Sequence, residues 1–189
     1  MARRYFDMMD NMRLPGRWVL DGPFDEQGEE IDSWQFGEGR HVELTCMPCF
    51  SMSHRGRALD ISQTGLGVPV VHGRVATILE RLCGQNVQLL PARLEGQLEP
   101  WYILNVLRVI RCIDEARCEY VERWTPEDNR PDKVGEYRNV RGLKVDPSKI
   151  GADAHIFRPW GWRVAILVSE PLKQALEQAG ITGVKYIEA

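Results

Sequence analysis

The run Phe157-Arg158-Pro159-Trp160-Gly161-Trp162-Arg163-Val164-Ala165-Ile166-Leu167-Val168-Ser169 decides the fold. Two tryptophans flank a glycine, and an apolar stretch of strand length, residues 165–168, follows and stops at a serine. Ser169 stands where a helix needs its N-cap, because a hydroxyl oxygen there accepts from an otherwise unpaired amide of the first turn. Pro171 falls within that turn, where a missing N–H is no loss. Leu172, Ala175, Leu176 and Ala179 then recur at i, i+3, i+4 and i+7, which places one apolar stripe on a helix. Gly180 suits the left-handed position just past the helix end, and residues 183–187 read as a closing strand. The predicted unit is strand, helix, strand.

The same pattern stands earlier in the chain. Val68-Pro69-Val70-Val71 matches the entry strand, Val75, Ile78, Leu79 and Leu82 repeat the stripe, and Val87-Gln88-Leu89-Leu90 matches the exit strand. At one constant offset the pairs Val71/Val168, Leu79/Leu176, Glu80/Glu177 and Val87/Val184 are identical. Any two such units share the pattern, so we read a repeated packing solution and not common ancestry. Each crossover is long enough to join parallel neighbours, which would make it right-handed.

Outward from these units the chain reads as short strands. Residues 5–9, 17–20, 31–36, 41–45, 59–61, 118–124 and 143–146 have strand character, with Asp21-Gly22-Pro23 expected to close the second of them. Trp101-Tyr102-Ile103-Leu104-Asn105-Val106-Leu107-Arg108-Val109-Ile110 lacks polar alternation, which predicts an interior strand covered on both faces. Asn105 within it reads as a hydrogen-bonded core group. Residues 125–142, rich in charge, Pro and Gly, read as a long irregular excursion, and Asp146-Pro147-Ser148-Lys149 as a helical turn.

A chain of 189 residues, 43% hydrophobic, can bury a core without staples. The expected arrangement is a single α+β domain over 1–189, with an optional N-terminal β subdomain over 1–66. A net charge of −3 does not advertise nucleic-acid binding, and no apolar run reaches membrane-spanning length. The start Met1-Ala2-Arg3-Arg4-Tyr5-Phe6-Asp7 is basic but leads into no uncharged apolar segment, so it does not read as a signal peptide. Five cysteines without framework spacing fit a reducing compartment, hence a cytoplasmic location.

The chemistry-bearing motifs are few. Cys46-Met47-Pro48-Cys49 has His41 and His54 nearby, but no second ligand pair follows at knuckle spacing. It also lacks the strand-then-helix setting of a redox C-x-x-C. No metal or cofactor is expected, and Cys112 and Cys118 read as strand residues. There is no G-x-S-x-G, H-E-x-x-H or phosphate-cradling loop, and the four histidines His41, His54, His72 and His155 are scattered. Two features invite a partner. Residues 21–38 carry Asp21, Asp25, Glu26, Glu29, Glu30, Asp32 and Glu38 with no Lys or Arg, either a solvated loop or a surface that steers a basic protein. Trp160 and Trp162, flanked by Arg158 and Arg163, read either as core packing against the last helix or as an interface.

Several stretches together resemble a known family over nearly the whole chain. They are Arg4-Tyr5-Phe6-Asp7, Trp101-Tyr102-Ile103-Leu104-Asn105-Val106, Ile156-Phe157-Arg158-Pro159-Trp160, and Val168-Ser169-Glu170 with Leu172, Ala175-Leu176, Ala179-Gly180-Ile181 and Gly183-Val184. The family is that of bacterial immunity proteins, abundant in myxobacteria. The resemblance implies a non-enzymatic protein that binds and neutralises a cognate polymorphic toxin, and it transfers no catalytic residue. The C-x-x-C is not part of it.

The reading to be tested is therefore an α+β fold: a mixed β-sheet, two main helices in two strand-helix-strand units, and a β-rich N-terminal half. The partner is a cognate toxin protein, with no direct contact to nucleic acid or membrane. The candidate contact residues are Asp25, Glu26, Glu29, Glu30, Arg158, Trp160 and Trp162. The alternatives are a small enzyme or ligand-binding domain with a cryptic site, and a zinc- or redox-dependent module using the C-x-x-C.

Overall fold

The computed structural model describes residues 3–189; Met1 and Ala2, which open the basic start, lie outside them. Along the chain run β1 (Tyr5–Asp10), β2 (Val19–Phe24), β3 (Cys49–His54), β4 (Ile61–Gln63), β5 (Pro69–His72), α1 (Gly73–Cys83), β6 (Val87–Leu94) and β7 (Trp101–Val106). They continue with β8 (Val109–Ile110), β9 (Tyr120–Arg123), β10 (Tyr137–Arg141), β11 (Ile156–Pro159), β12 (Leu167–Ser169), α2 (Glu170–Gln178) and β13 (Val184–Glu188). The strands form a six-stranded sheet in the order β2-β3-β6-β7-β5-β4, a five-stranded sheet in the order β13-β1-β12-β11-β8, and the β9–β10 hairpin. Both larger sheets are mixed: β3–β6 and β11–β8 pair in parallel, their other neighbours antiparallel. The α+β class and the two strand-helix-strand units stand.

Both helices form where local signals place them. Ser169 Oγ accepts from Leu172 N at 3.4 Å, Pro171 lies in the first turn, and Gly180 follows with φ of 64°. Leu172 and Leu176 are fully buried, each stabilising the fold by about 1.5–3 kcal/mol. In α1 the cap is His72, whose Nδ1 accepts from Arg74 N at 3.2 Å, and Val75, Ile78 and Leu79 are buried.

The crossovers do not join adjacent strands. In each unit an antiparallel strand is inserted between the entry and exit strands: β1 between β12 and β13, β7 between β5 and β6. The register repeats as well. Phe6 faces Val168 on one side and Glu188 on the other, while Tyr102 faces Val71 and Pro91, the offset equivalents of those two residues. The physical reason lies in the inserted strands. Tyr5, Phe6 and Met8 of β1 and Trp101, Ile103, Leu104 and Val106 of β7 are all buried, so each strand needs a neighbour along both edges and cover on both faces.

The faces are shared in a consistent way. Phe6, Met8, Val71, Leu79, Leu104, Val168, Leu172 and Leu176 meet in one cluster, with Val87 and Val184 packed against it. Side chains alternate along a strand, so the opposite faces look elsewhere. Val70, Trp101 and Ile103 join Trp18, Leu20, Phe36, Val42 and Phe50 behind the six-stranded sheet. Tyr5 and Leu167 join Cys112, Val145, Phe157 and others behind the five-stranded one.

Several strand expectations are corrected. Residues 31–36 instead give a 3-10 helix, Ser33–Gly37, started by Asp32, whose carboxylate accepts from Trp34 N at 3.0 Å. Residues 41–45 form no strand, because the Gln88 side chain takes up the backbone of Val42. The run 101–110 divides after Val106: Leu107 N turns to Asn86 O, and Val109 and Ile110 leave to pair with β11 in the other sheet. Asp21-Gly22-Pro23 lies inside β2 and does not close it. The excursion 125–142 returns as β10, which pairs with β9, and of 143–146 only Val145 bridges, to Ile113. Asp146 does start a 3-10 turn, accepting from Ser148 N at 3.0 Å.

Candidate functional site

The acidic segment is an ordered turn. Asp25 Oδ1 accepts from Gln27 N at 2.8 Å and from Glu29 N at 2.9 Å, while Asp25 N donates to Glu29 O at 2.9 Å. Gly28, with φ of 87°, supplies the left-handed residue the turn needs. Asp25 thus builds the turn, and Glu26, Glu29 and Glu30 project from it exposed, with no cation in salt-bridge range among the described residues. Beside the turn lies an open depression of about 800 Å³ bordered by Phe24, Cys49, Arg93 and Glu95.

Immediately after it, the 3-10 helix displays Trp34, which is 74% exposed, while Phe36 of the same helix is buried. Lys133 lies 5.7 Å from the Trp34 ring and 5.5 Å from that of Trp124, so an exposed aromatic and a cation sit on the flank of the acidic turn. The sequence reading did not single out Trp34. Residues 31–36, in which it stands, have strand character in the sequence, and the 3-10 geometry turns its ring outward.

The Trp160-Gly161-Trp162 stretch is a turn that anchors the β9–β10 hairpin. Tyr137 N donates to Gly161 O at 3.0 Å, and Arg163 pairs with Glu136 at 3.0 Å. Gly161 has φ of 79°, and a Cβ there would come within 3.0 Å of the Tyr137 ring, so both conformation and space demand glycine. Trp160 is half-buried under the Arg111 guanidinium, 3.3 Å from the ring centroid, and Trp162 is half-buried at the mouth of a groove.

Arg158 is 4% exposed. Its guanidinium donates to the carbonyls of Arg163 and Phe36, the latter at 3.4 Å, and no carboxylate pairs with it among the described residues. Burial, reinforced by the charge of Arg163, pulls its pKa down to about 10. Its place is inside, linking the Trp160-Gly161-Trp162 turn to the helix that carries Trp34. The 3-10 helix that follows the acidic turn and the Trp160-Gly161-Trp162 turn are therefore joined through a buried residue.

Cys46 and Cys49 are free and half-buried, with Cys49 at the start of β3, and His41 and His54 are exposed. Among the described residues no group of three His, Cys, Asp or Glu side chains gathers as a metal site would require. Burial pushes the Cys83 and Cys112 thiols up to about 12, which keeps them protonated and unreactive. One pairing has the form of a base and a nucleophile: His155 Nδ1 and Ser169 Oγ lie 2.8 Å apart. Ser169 is fully buried and its oxygen caps α2, so the pair fixes a helix start.

Among the described residues no helix is long and apolar enough to cross a membrane. The chain matches a family model described as an immunity protein family (Imm11) over residues 2–189. No curated protein matches it.

Proposed function

The chain belongs to the Imm11 immunity protein family, and from that premise we propose that it binds and neutralises a cognate polymorphic toxin by protein–protein contact, without catalysis, in the cytoplasm of the producing cell. The whole chain acts as one immunity-type unit. The observation that supports a contact mechanism most directly is the acidic turn: three exposed carboxylates, Glu26, Glu29 and Glu30, on a turn built by Asp25, with no cation in salt-bridge range among the described residues. Many toxin domains that act on nucleic acid are basic, and a complementary negative field speeds encounter with such a partner. Trp34 beside the turn provides a large apolar contact of the kind that carries affinity. Arg158 contributes as a positioning residue through its bond to Phe36.

The test is genetic and then biochemical. The product of the adjacent gene, expressed alone, is expected to arrest growth, and co-expression of this chain is expected to restore it, with the two proteins co-purifying as a stable complex. Rescue without a complex would point to an enzymatic antidote, and no rescue would refute the proposal.

A further inference from the structure

A groove of about 890 Å³ runs along the outer side of β1 and β13, past the Trp160-Gly161-Trp162 turn. Asp7 lies on its floor, directly opposite Ile187 in the ladder. Exposed apolar side chains gather along its walls: Met12 at 69%, Val164 at 67%, Ile187 at 50% and Met9 at 38%, with half-buried Trp162 at one end. Such a concentration of exposed apolar area marks an interaction surface more often than chance exposure does.

The charges inside the groove are mostly settled within the chain. Asp10 holds Arg17 at 2.7 Å, and Lys144 Nζ donates to the Glu188 carbonyl at 2.8 Å. Asp7 is the exception. Among the described residues its carboxylate has neither a hydrogen bond nor an ion pair; Lys185, opposite Met9 on the same face, feels its charge from beyond pairing distance. Glu119 at the rim has no ion pair either. A carboxylate in apolar surroundings is unfavourable until a cation reaches it. Long basic side chains suit this shape, because their aliphatic stems lie along apolar walls while the charged head goes deeper, and methionine walls adapt to what enters.

We propose that this groove is the toxin-docking site, and that it receives a lysine or arginine flanked by apolar residues, with the cation meeting Asp7. The inference rests on the reading of the partner as a toxin and names the chemistry that reading requires at one place. The acidic turn then steers the encounter, and the groove adds to the Trp34 contact in holding the complex.

The experiment measures binding of the purified full chain to the purified product of the adjacent gene by calorimetry. Asp7→Asn is expected to weaken binding about tenfold or more. The same loss is expected for the double variant Met12→Ser with Val164→Ser, whose sites are too exposed to threaten the fold. Lys185→Met removes the cation whose charge acts on Asp7 and is expected to tighten binding, a gain that a purely structural role for Asp7 cannot give. Thermal unfolding of each variant separates lost binding from lost folding. If the unsubstituted chain binds and the Asp7 and double variants bind equally well, the groove is refuted while the toxin reading stands. If the unsubstituted chain does not bind at all, both fall. If the chain is a dimer that the double variant dissociates with toxin binding intact, the occupant is a second copy and the proposal is refuted.

Discussion

Gln88 holds Val42 as a neighbouring strand would. Its Oε1 accepts from Val42 N at 2.9 Å and its Nε2 donates to Val42 O at 2.8 Å. The same Oε1 accepts from Asn105 Nδ2 at 2.9 Å, and Asn105 also donates to Arg40 O at 2.8 Å. Two side-chain amides therefore fasten an irregular segment over a core in which Val42 is buried. Replacing Gln88 by leucine leaves the buried Val42 amide and carbonyl unpaired. The expected loss is ~1–3 kcal/mol in urea denaturation, with faster proteolysis between residues 38 and 46. Unchanged stability would mean water serves the segment as well as Gln88 does.

Leu176 and Leu79 lie at equivalent places on the two helices and meet in the same cluster. Alanine at either is expected to cost about 2–5 kcal/mol. Aspartate at Leu176, an unpaired carboxylate in that core, should unfold or aggregate the protein, since its penalty is comparable to the whole stability of a domain. A cooperative thermal transition for Leu176→Asp at the wild-type temperature would contradict the packing described.

The acidic turn makes a kinetic prediction. Changing Glu26, Glu29 and Glu30 together to glutamine leaves Asp25 to maintain the turn and removes the field. Association with the toxin should slow several-fold at low salt, and its salt dependence should flatten, with dissociation little altered. Stopped-flow association at two ionic strengths decides the matter: wild-type rate and salt dependence would reduce the turn to a solubility feature.

Asp7 makes a prediction of opposite sign for stability and for binding. Burial, partly offset by Lys185, pushes its pKa up to about 6, from an ordinary value of 3.8. The folded state then binds its proton more tightly than the unfolded chain, so this carboxyl favours folding below pH 3.8 relative to neutral pH. That contribution fades as pH rises from 3.8 through 6. At pH 7 the ionised group opposes folding, by up to about 3 kcal/mol. Asp7→Asn should therefore be more stable than the unsubstituted protein at pH 7 and nearly equal to it at pH 4, although the groove would bind less well. Denaturant titrations at the two pH values check it, and a variant no more stable at pH 7 would show that the charge is already compensated in the free protein.

The amino-acid sequence by itself determined the two helices, the serine cap and closing glycine of the second, and the apolar faces they bury. It also determined the strands that flank them and the doubly buried character of residues 101–106. These follow from interactions spanning a few residues: the Ser169 hydroxyl over the first turn of its helix, the left-handed glycine at 180, side-chain periodicity on one element. Only the tertiary structure decided what stands between the strands of each unit, since β1 reaches its neighbours from the far end of the chain and nothing near Val168 encodes that. It also decided that the backbone of Val42 finds a glutamine instead of a strand, that Trp34 turns outward while Arg158 turns in, and that Asp7 is left without a partner on the floor of a groove. Each of these depends on which distant group arrives to satisfy or strand a polar atom, and that is a property of the assembled chain.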